Sequence, residues 1–134
     1  MKIKSLLAEK DQSKIQNKYE EIYKDAAVWL YKKFDGIHSI ILSQVKNNLK
    51  NAEVLDVGCG AGRLAIMCAK FAKQVDAFDF SHGAISIAQK IAELTQTKNV
   101  NFFVGNLEKL VLTNKRYDLV TMSEVIEHVS DPVL

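Results

Sequence analysis

The sequence of 134 residues has no long hydrophobic run. Its apolar stretches, such as the one from Ile37 to Leu42, are far shorter than the roughly 20 residues that a helix needs to cross a bilayer. The first twenty residues carry lysines and acids instead of the apolar centre of a secretory signal. The sequence therefore predicts no membrane span and, by default, a cytoplasmic protein.

Cysteine and proline are also scarce, and neither sign of charge is in large excess. The two cysteines, Cys59 and Cys68, have no second pair and no nearby histidine cluster, so we expect reduced thiols in a core rather than a zinc site. The net charge is only +2, whereas nucleic-acid-binding proteins usually show a dense basic face. What remains is the balance of one globular domain, with 48% hydrophobic and 25% charged residues.

The spacing of apolar residues predicts two helices in residues 1–52, which we expect to cover the rest of the domain. Before the break at Asp35-Gly36, apolar residues recur every three to four positions. A second stripe with helical spacing follows the break. The first stripe consists of Tyr19, Ile22, Tyr23, Ala26, Ala27 and Leu30, and the second of Ile37, Ile40, Ile41, Val45 and Leu49.

From residue 53 onward, short β-type runs alternate with helical runs, which is typical of an α/β fold with a parallel sheet flanked by helices. Ser81 is the predicted N-cap of the second of these helices. Because such sheets usually continue beyond four strands, we expect a sheet truncated after the fourth, whose edge a homodimer or a second chain would complete. The predicted strands are Glu53–Val57, Gln74–Phe80, Val100–Val104 and Tyr117–Ser123, and the predicted helices are Gly62–Ala72 and His82–Gln96.

The most specific feature is a hydrophobic strand that runs directly into three alternating glycines, Gly58, Gly60 and Gly62. Glycines allow the chain to bend sharply there and let a ligand lie against the backbone. The free amides at the start of the next helix favour an anionic or polar group. The spacing differs from the dinucleotide fingerprint, because the third glycine comes one residue early, and no Walker-type lysine follows.

A carboxylate, Asp79, ends the second predicted strand. Doubly wound folds place a carboxylate at this position, across from the glycine loop, to accept hydrogen bonds from two ribose hydroxyls. Asp76 alternates to the other face of the strand, so we expect an exposed residue without a role. Phe80 is placed either to stack on a base or to pack against the protein.

Together these residues resemble the motifs of class I S-adenosylmethionine-dependent methyltransferases. The segment Asp56-x-Gly58-x-Gly60-x-Gly62 is similar to the family's glycine motif, and the position of Asp79 is similar to that of its ribose-binding acid. The resemblance implies a Rossmann-like class I methyltransferase fold. It also implies that the glycine loop approaches the methionine part of the cofactor, that Asp56 helps hold its amino group, and that Asn106, where the family usually has Asp, contacts the adenine amino group. The implied cofactor-binding residues are Asp56, Gly58, Cys59, Gly60, Gly62, Asp79, Phe80, Asn106, Leu107 and Ser123.

The candidate catalytic residues, Glu124, Glu127 and His128, follow the fourth predicted strand. They fall at the carboxyl edge of the sheet, where ligands sit in open α/β folds. On a helical turn they share one face, which can hold a substrate hydroxyl or a divalent metal such as Mg²⁺. The alternative is that the two glutamates cap a helix N-terminus and that His128 is a surface or packing residue.

The run from Glu124 to His128 is similar to that of ubiquinone-pathway O-methyltransferases, which methylate catechol-type hydroxyls. It also resembles the Glu-x-x-Glu-His of small-RNA 2′-O-methyltransferases, which bind Mg²⁺. Our leading hypothesis is O-methylation of a small-molecule hydroxyl with S-adenosylmethionine. The alternatives are one half of an RNA 2′-O-methyltransferase, with RNA as the lesser candidate partner, and a non-catalytic module that binds the cofactor or pairs with a second chain.

Overall fold

The structure is a computed structural model that describes residues 36–109 and 114–128. The first predicted helix lies outside these residues. The described chain begins with helix α1 (Ile37–Val45), followed by a 3₁₀ turn (Lys46–Asn48). The remaining elements are β1 (Glu53–Val57), α2 (Arg63–Ala69), β2 (Gln74–Asp79), α3 (His82–Leu94), β3 (Val100–Val104), β4 (Leu119–Met122) and a second 3₁₀ turn (Ile126–His128).

The four strands form one parallel sheet in the order β3-β2-β1-β4. In register, Val54 lies between Val75 of β2 and Leu119 of β4, so β1 and β2 occupy the centre of the sheet. Both central strands are buried over nearly their whole length. Apolar residues of these strands are buried on both faces of the sheet, with Val54 and Val75 on one face and Leu55 and Phe78 on the other, as is typical of a parallel sheet that is covered on both faces. The predicted α/β fold is confirmed.

The larger part of the core lies between one face of the sheet and the three helices. Val54, Val75 and Phe102 point from the strands toward apolar residues of α2 and α3. Leu64, Ala65, Ile66 and Cys68 of α2 and Ile85, Ala88, Ile91 and Ala92 of α3 complete this layer. A smaller cluster on the opposite face contains Leu55, Val57 and Phe78, and the ring of Phe78 stacks on Phe103 at 5.5 Å.

The N-cap of α3 is the predicted one. Ser81 has extended backbone angles, and its hydroxyl accepts a hydrogen bond from the Ala84 amide at 3.2 Å. This bond satisfies one of the free amides of the first turn. The strand ends differ slightly from the prediction, since β2 ends at Asp79 rather than at Phe80, and β4 is shorter at both ends.

The buried face of α1 is not the predicted one. Ile37 and Ile40 are 50% and 63% exposed, whereas Ile41, Leu42 and Val45 pack against the core. The five-residue stripe was therefore wrong at its first two positions, because the helix contacts the core through its later residues. No helix among the described residues is long and apolar enough to cross a membrane. The boundary between residues 52 and 53 remains a prediction.

Candidate functional site

The glycine loop connects β1 to α2 at the carboxyl edge of the sheet. Gly58, Gly60 and Gly62 all have left-handed backbone angles, with φ of 66°, 53° and 79°, a region that only glycine enters freely. A Cβ atom on Gly58 would collide with the side chain of Val125, and one on Gly62 would lie 2.5 Å from the Phe102 ring. A Cβ on Gly60 would meet nothing within 4 Å. Two glycines therefore serve close packing, while the third faces open space.

Asp79 holds the glycine loop against the end of β2. Its Oδ2 accepts a hydrogen bond from the Gly60 amide at 3.0 Å, and its Oδ1 accepts one from the Ser81 amide at 2.9 Å. The Cys59 amide donates to the Phe78 carbonyl at 2.9 Å and adds a second attachment. Each carboxylate oxygen of Asp79 still has a free lone pair after these bonds. The carboxylate can therefore fix the loop and accept hydrogen bonds from a ligand at the same time.

A cavity of about 330 Å³ lies beside this loop, within the usual range of small-ligand sites. Its wall combines the ends of β1 and β2, the turn after β3 and the turn after β4. It is lined by Val57, Gly58, Phe78, Asp79, Phe80, Gly105, Asn106, Leu107, Glu108, Glu124 and Val125. The parallel strands thus bring four separate parts of the sequence to one opening.

Six of the predicted site residues line this cavity, namely Gly58, Asp79, Phe80, Asn106, Leu107 and Glu124. Phe80 is 74% exposed, so its ring does not pack in the core and is available to a base. Asn106 caps its own turn, because its Oδ1 accepts a hydrogen bond from the Glu108 amide at 3.0 Å. The predicted residues outside the wall are Asp56, Cys59, Gly60, Gly62, Ser123 and Glu127, and the side chain of His128 is outside the described part of the structure.

The wall also includes residues that the sequence reasoning missed. Val57 and Phe78 are apolar strand residues, and nothing in the sequence distinguishes them from core residues. Gly105 and Glu108 flank the predicted residues Asn106 and Leu107, and this position was the signal that could have identified them. Val125 is the least predictable, because it reaches the wall by packing on Gly58 from a distant part of the chain.

Asp56 is buried beneath the loop, with 2% of its surface exposed. Its Oδ1 accepts a hydrogen bond from the Thr121 hydroxyl at 2.8 Å, while its Oδ2 has no hydrogen-bond partner among the described residues. Burial raises the pKa of Asp56 to about 6, although the Thr121 hydroxyl and the backbone amide of Ala65 oppose this increase. The hydroxyl of Ser123 is likewise buried without a partner. Such unsatisfied buried groups are unusual and suggest a missing polar ligand or water.

The turn after β4 has an unusual backbone. Glu124 has a left-handed φ of 56°, which costs a non-glycine residue about 1–3 kcal/mol. This conformation sends the chain back over the glycine loop, where Val125 contacts Gly58 and Glu124 lines the cavity. Among the side chains that the structure describes, which do not include that of His128, no group of three acidic, histidine or cysteine residues is arranged to hold a metal ion. The predicted Mg²⁺ site gains no support.

The two cysteines are free thiols. Burial raises the pKa of the Cys68 thiol to about 12, and it also raises that of Cys59 well above the usual range. Nearby Asp56 adds to both increases because a second negative charge is disfavoured there. Neither thiol is therefore a nucleophile at neutral pH.

A parallel sheet with a glycine loop after its first strand and a carboxylate after its second defines the Rossmann-like class of folds, in which nucleotide-type ligands bind at the carboxyl edge of the sheet. Residues 54–134 match the protein family described as "Methyltransferase domain". The chain belongs to this methyltransferase family, and its fold is that of class I methyltransferases.

The relatives agree with this assignment. The chain is 40% identical over 84 residues to the ubiquinone biosynthesis O-methyltransferase of Coxiella burnetii, a match that covers 63% of this chain and 36% of the relative. It is 33% identical over 105 residues to the enzyme of the same name from Hydrogenovibrio crunogenus, covering 74% and 43%. The matched part of the chain thus spans less than half the length of each of these relatives.

Solved structures give the same fold. The YcgJ protein of Bacillus subtilis superposes with a TM-score of 0.64 at 25% identity, covering 70% of this chain and 42% of that one. An S-adenosylmethionine-dependent methyltransferase from Mesorhizobium loti gives a TM-score of 0.62 at 22% identity, covering 72% and 44%, and supports the fold alone.

Proposed function

We propose that this chain binds S-adenosylmethionine in the cavity and forms the cofactor-binding part of an O-methyltransferase that acts on a small-molecule hydroxyl. The observation that carries the proposal is the pairing of Gly60 with Asp79. Gly60 leaves open space where a side chain would stand, and the carboxylate beside it retains lone pairs for hydroxyl donors. This arrangement suits a ribose that lies against the glycine loop.

The residues around the cavity fit the other parts of the cofactor. Phe80 offers an exposed aromatic face to the adenine, and Asn106 offers an amide to its edge. Asp56 and Ser123 each have a buried oxygen without a hydrogen-bond partner among the described residues. The cofactor carries an ammonium group that can donate hydrogen bonds to such oxygens, directly or through a water. When bound, the cofactor supplies an electrophilic methyl group on a positively charged sulfur.

The acceptor class rests on two supports. The ubiquinone biosynthesis O-methyltransferases are similar to this chain over 84 and 105 residues. In addition, Glu124 lines the cavity with a carboxylate that can accept a hydrogen bond from a hydroxyl. The RNA alternative depends on a metal site that includes His128, whose side chain is outside the described part of the structure, so we propose the small-molecule acceptor.

The cofactor proposal is tested by calorimetric titration of the chain with S-adenosylhomocysteine. We expect saturable binding that weakens by about 10- to 100-fold in Asp79→Ala, because two hydrogen bonds to a charged group are lost. The matched control is Glu93→Ala, which removes an exposed carboxylate on α3 that only pairs with Lys90. Absence of binding by the folded wild-type chain would contradict the proposal.

Asp79→Ala also removes two hydrogen bonds that hold the loop. Asp79→Asn is therefore the more informative variant, because it keeps one oxygen for the Gly60 amide while it removes the charge. Because its NH₂ group cannot accept the hydrogen bond from the Ser81 amide, we expect Asp79→Asn to lose some stability, though less than Asp79→Ala, and to bind S-adenosylhomocysteine less tightly than the wild type. Equal affinity of Asp79→Asn and wild type would contradict a role of this carboxylate in ligand binding.

A further inference from the structure

Val125 and Gly58 interlock where the turn after β4 meets the glycine loop. A methyl group added at Gly58 would collide with Cγ2 of Val125 and would lie 3.5 Å from its Cβ and Cγ1 atoms. The Val125 side chain therefore occupies the space that a side chain at position 58 would need. Both residues line the cavity, so their contact belongs to the candidate ligand site as well as to the packing.

The position of Val125 is fixed by its neighbours. Its side chain is half-buried and packs against the small apolar cluster that contains Val57 and Phe78. The left-handed backbone of Glu124 turns the chain immediately before it. On the other side of the contact, Gly58 follows directly after β1. The contact thus joins the turn after β4 to the loop after β1 across two neighbouring strands.

The order of the strands places this contact at one end of the cavity. Phe80 and Asn106 follow β2 and β3, whereas Gly58 and Val125 follow β1 and β4. Because the sheet order is β3-β2-β1-β4, the cavity runs along the carboxyl edge from Asn106 to Val125, with Asp79 between them. A ligand with its base on Phe80 and its ribose at Asp79 therefore extends its remaining part toward Val125.

We propose that Val125 is a positioning residue for the amino-acid part of the cofactor, because its contact with Gly58 fixes the wall against which that part lies. The inference rests on the proposed function, since it assigns Val125 a role toward S-adenosylmethionine. Position 58 then requires glycine for its contact with Val125 as well as for its backbone angle. Asp56 and Ser123, whose buried oxygens lack hydrogen-bond partners among the described residues, belong to the same two chain segments.

The inference is tested by calorimetric titration of the whole chain with two ligands that share adenine, ribose and sulfur. S-adenosylhomocysteine carries the amino-acid part, whereas methylthioadenosine ends in a methyl group. We expect Gly58→Ala to raise the dissociation constant of S-adenosylhomocysteine at least about tenfold and that of methylthioadenosine less than about threefold. Adding Val125→Ala should recover part of the lost affinity, because the remaining Cβ atoms are 3.5 Å apart and the new methyl group replaces the valine methyl group in the wall.

Val125→Ala alone keeps the glycine, so it decides the question if Gly58→Ala does not fold. We expect it to weaken S-adenosylhomocysteine binding by about 3- to 10-fold and methylthioadenosine binding much less, because part of the apolar wall is lost. The matched control is Val100→Ala, which shortens another half-buried valine that packs on a core cluster outside the cavity wall. This control should leave the ratio of the two dissociation constants unchanged.

The two ligands also separate this inference from the cofactor proposal. If Val125→Ala weakens both ligands by the same factor, Val125 has only a structural role and the inference is wrong, while the cofactor proposal stands. If the folded wild-type chain does not bind S-adenosylhomocysteine, the proposed function fails and the role of Val125 fails with it.

Discussion

The three glycines of the loop have the same backbone conformation but different surroundings. Gly60 faces open space, whereas a Cβ on Gly62 would lie within 3 Å of the Phe102 ring and Ala88. We expect Gly60→Ala to cost about 1 kcal/mol of unfolding free energy, from its left-handed φ alone, and to weaken S-adenosylhomocysteine binding at least tenfold. Gly62→Ala should cost about 3 kcal/mol or more, because the core must also move.

Urea unfolding and calorimetry of these two variants measure the two effects separately. The expected pattern is a binding defect with a small loss of stability for Gly60→Ala and a large loss of stability for Gly62→Ala. If Gly60→Ala bound the ligand as tightly as the wild type, the open space beside Gly60 would not be the ligand site.

Asp56 gives the chain a distinctive dependence of stability on pH. Because the folded-state pKa is about 6 and the ordinary value is 3.8, the folded chain holds a proton that the unfolded chain has already lost between these values. The free energy of unfolding should therefore fall as pH rises from about 4 to 6, by up to about 3 kcal/mol from this residue. Above pH 6 both states are ionised and this contribution to the slope ends.

Asp56→Asn removes the titrating group while it keeps a side-chain oxygen for the Thr121 hydroxyl. Urea unfolding at pH 4, 5, 6 and 7 should show the slope in the wild type and a much smaller slope in the variant. Equal slopes in the two proteins would show that the Asp56 carboxylate ionises normally in the folded state.

At the scale of elements, Asp76 joins the segment before β4 to the middle of the sheet. Its Oδ2 accepts hydrogen bonds from Lys115 at 2.6 Å and from the Tyr117 hydroxyl at 2.8 Å, and its Oδ1 accepts one from Asn101 at 3.5 Å. Burial alone would raise the pKa of Asp76, but the bonds from Lys115 and Tyr117 outweigh it and lower the pKa. The prediction of an exposed residue without a role was wrong.

We expect Asp76→Ala to lower the free energy of unfolding by about 2–4 kcal/mol, because it leaves the Tyr117 hydroxyl and Lys115 without their shared acceptor. The control is Lys73→Gln, which breaks an exposed ion pair with Glu53 at 2.9 Å and should cost less than about 1 kcal/mol. Urea unfolding measures both. A loss for Asp76→Ala as small as that for Lys73→Gln would show that the buried network adds little.

The order of elements was predictable, whereas contacts between distant segments were not. The bounds of β1 and β3 were predicted correctly, because short apolar runs between glycine, asparagine and charged residues admit few alternatives. The hydrogen-bond donors to Asp76 come from residues 25 to 41 positions away. The buried face of α1 was also predicted wrongly. Helical spacing alone is compatible with a buried face that contains Ile37 and Ile40 and equally with one that contains His38 and Leu42.

The same distinction applies to the site at the scale of the whole molecule. Gly58, Asp79 and Asn106 were predicted because each follows a strand, and parallel strands end at one edge. Val57, Phe78 and Val125 were missed because an apolar side chain that lines a cavity has the same sequence pattern as one in the core. The sequence pattern thus predicted strand-end residues that line the cavity, although the predicted residues Asp56, Ser123 and Glu127 lie outside its wall, and it gave no signal for residues that supply only shape.

The edge of β4 leads to a prediction about assembly. In the described part of the chain β4 pairs with β1 alone, and an edge strand presents unpaired amides and carbonyls. Val120 and Met122 on this strand are 53% and 42% exposed.

We expect the isolated chain to self-associate through this edge at high concentration, in line with a sheet that a second chain completes. We expect Val120→Lys to reduce the association several-fold. Because Val120 is already half exposed, the substitution should change the free energy of unfolding by less than about 1 kcal/mol. Light scattering over a concentration series measures the association, and Lys98→Gln, at an exposed position, is the control. A wild-type chain that stays monomeric at all concentrations would show that this edge does not drive assembly.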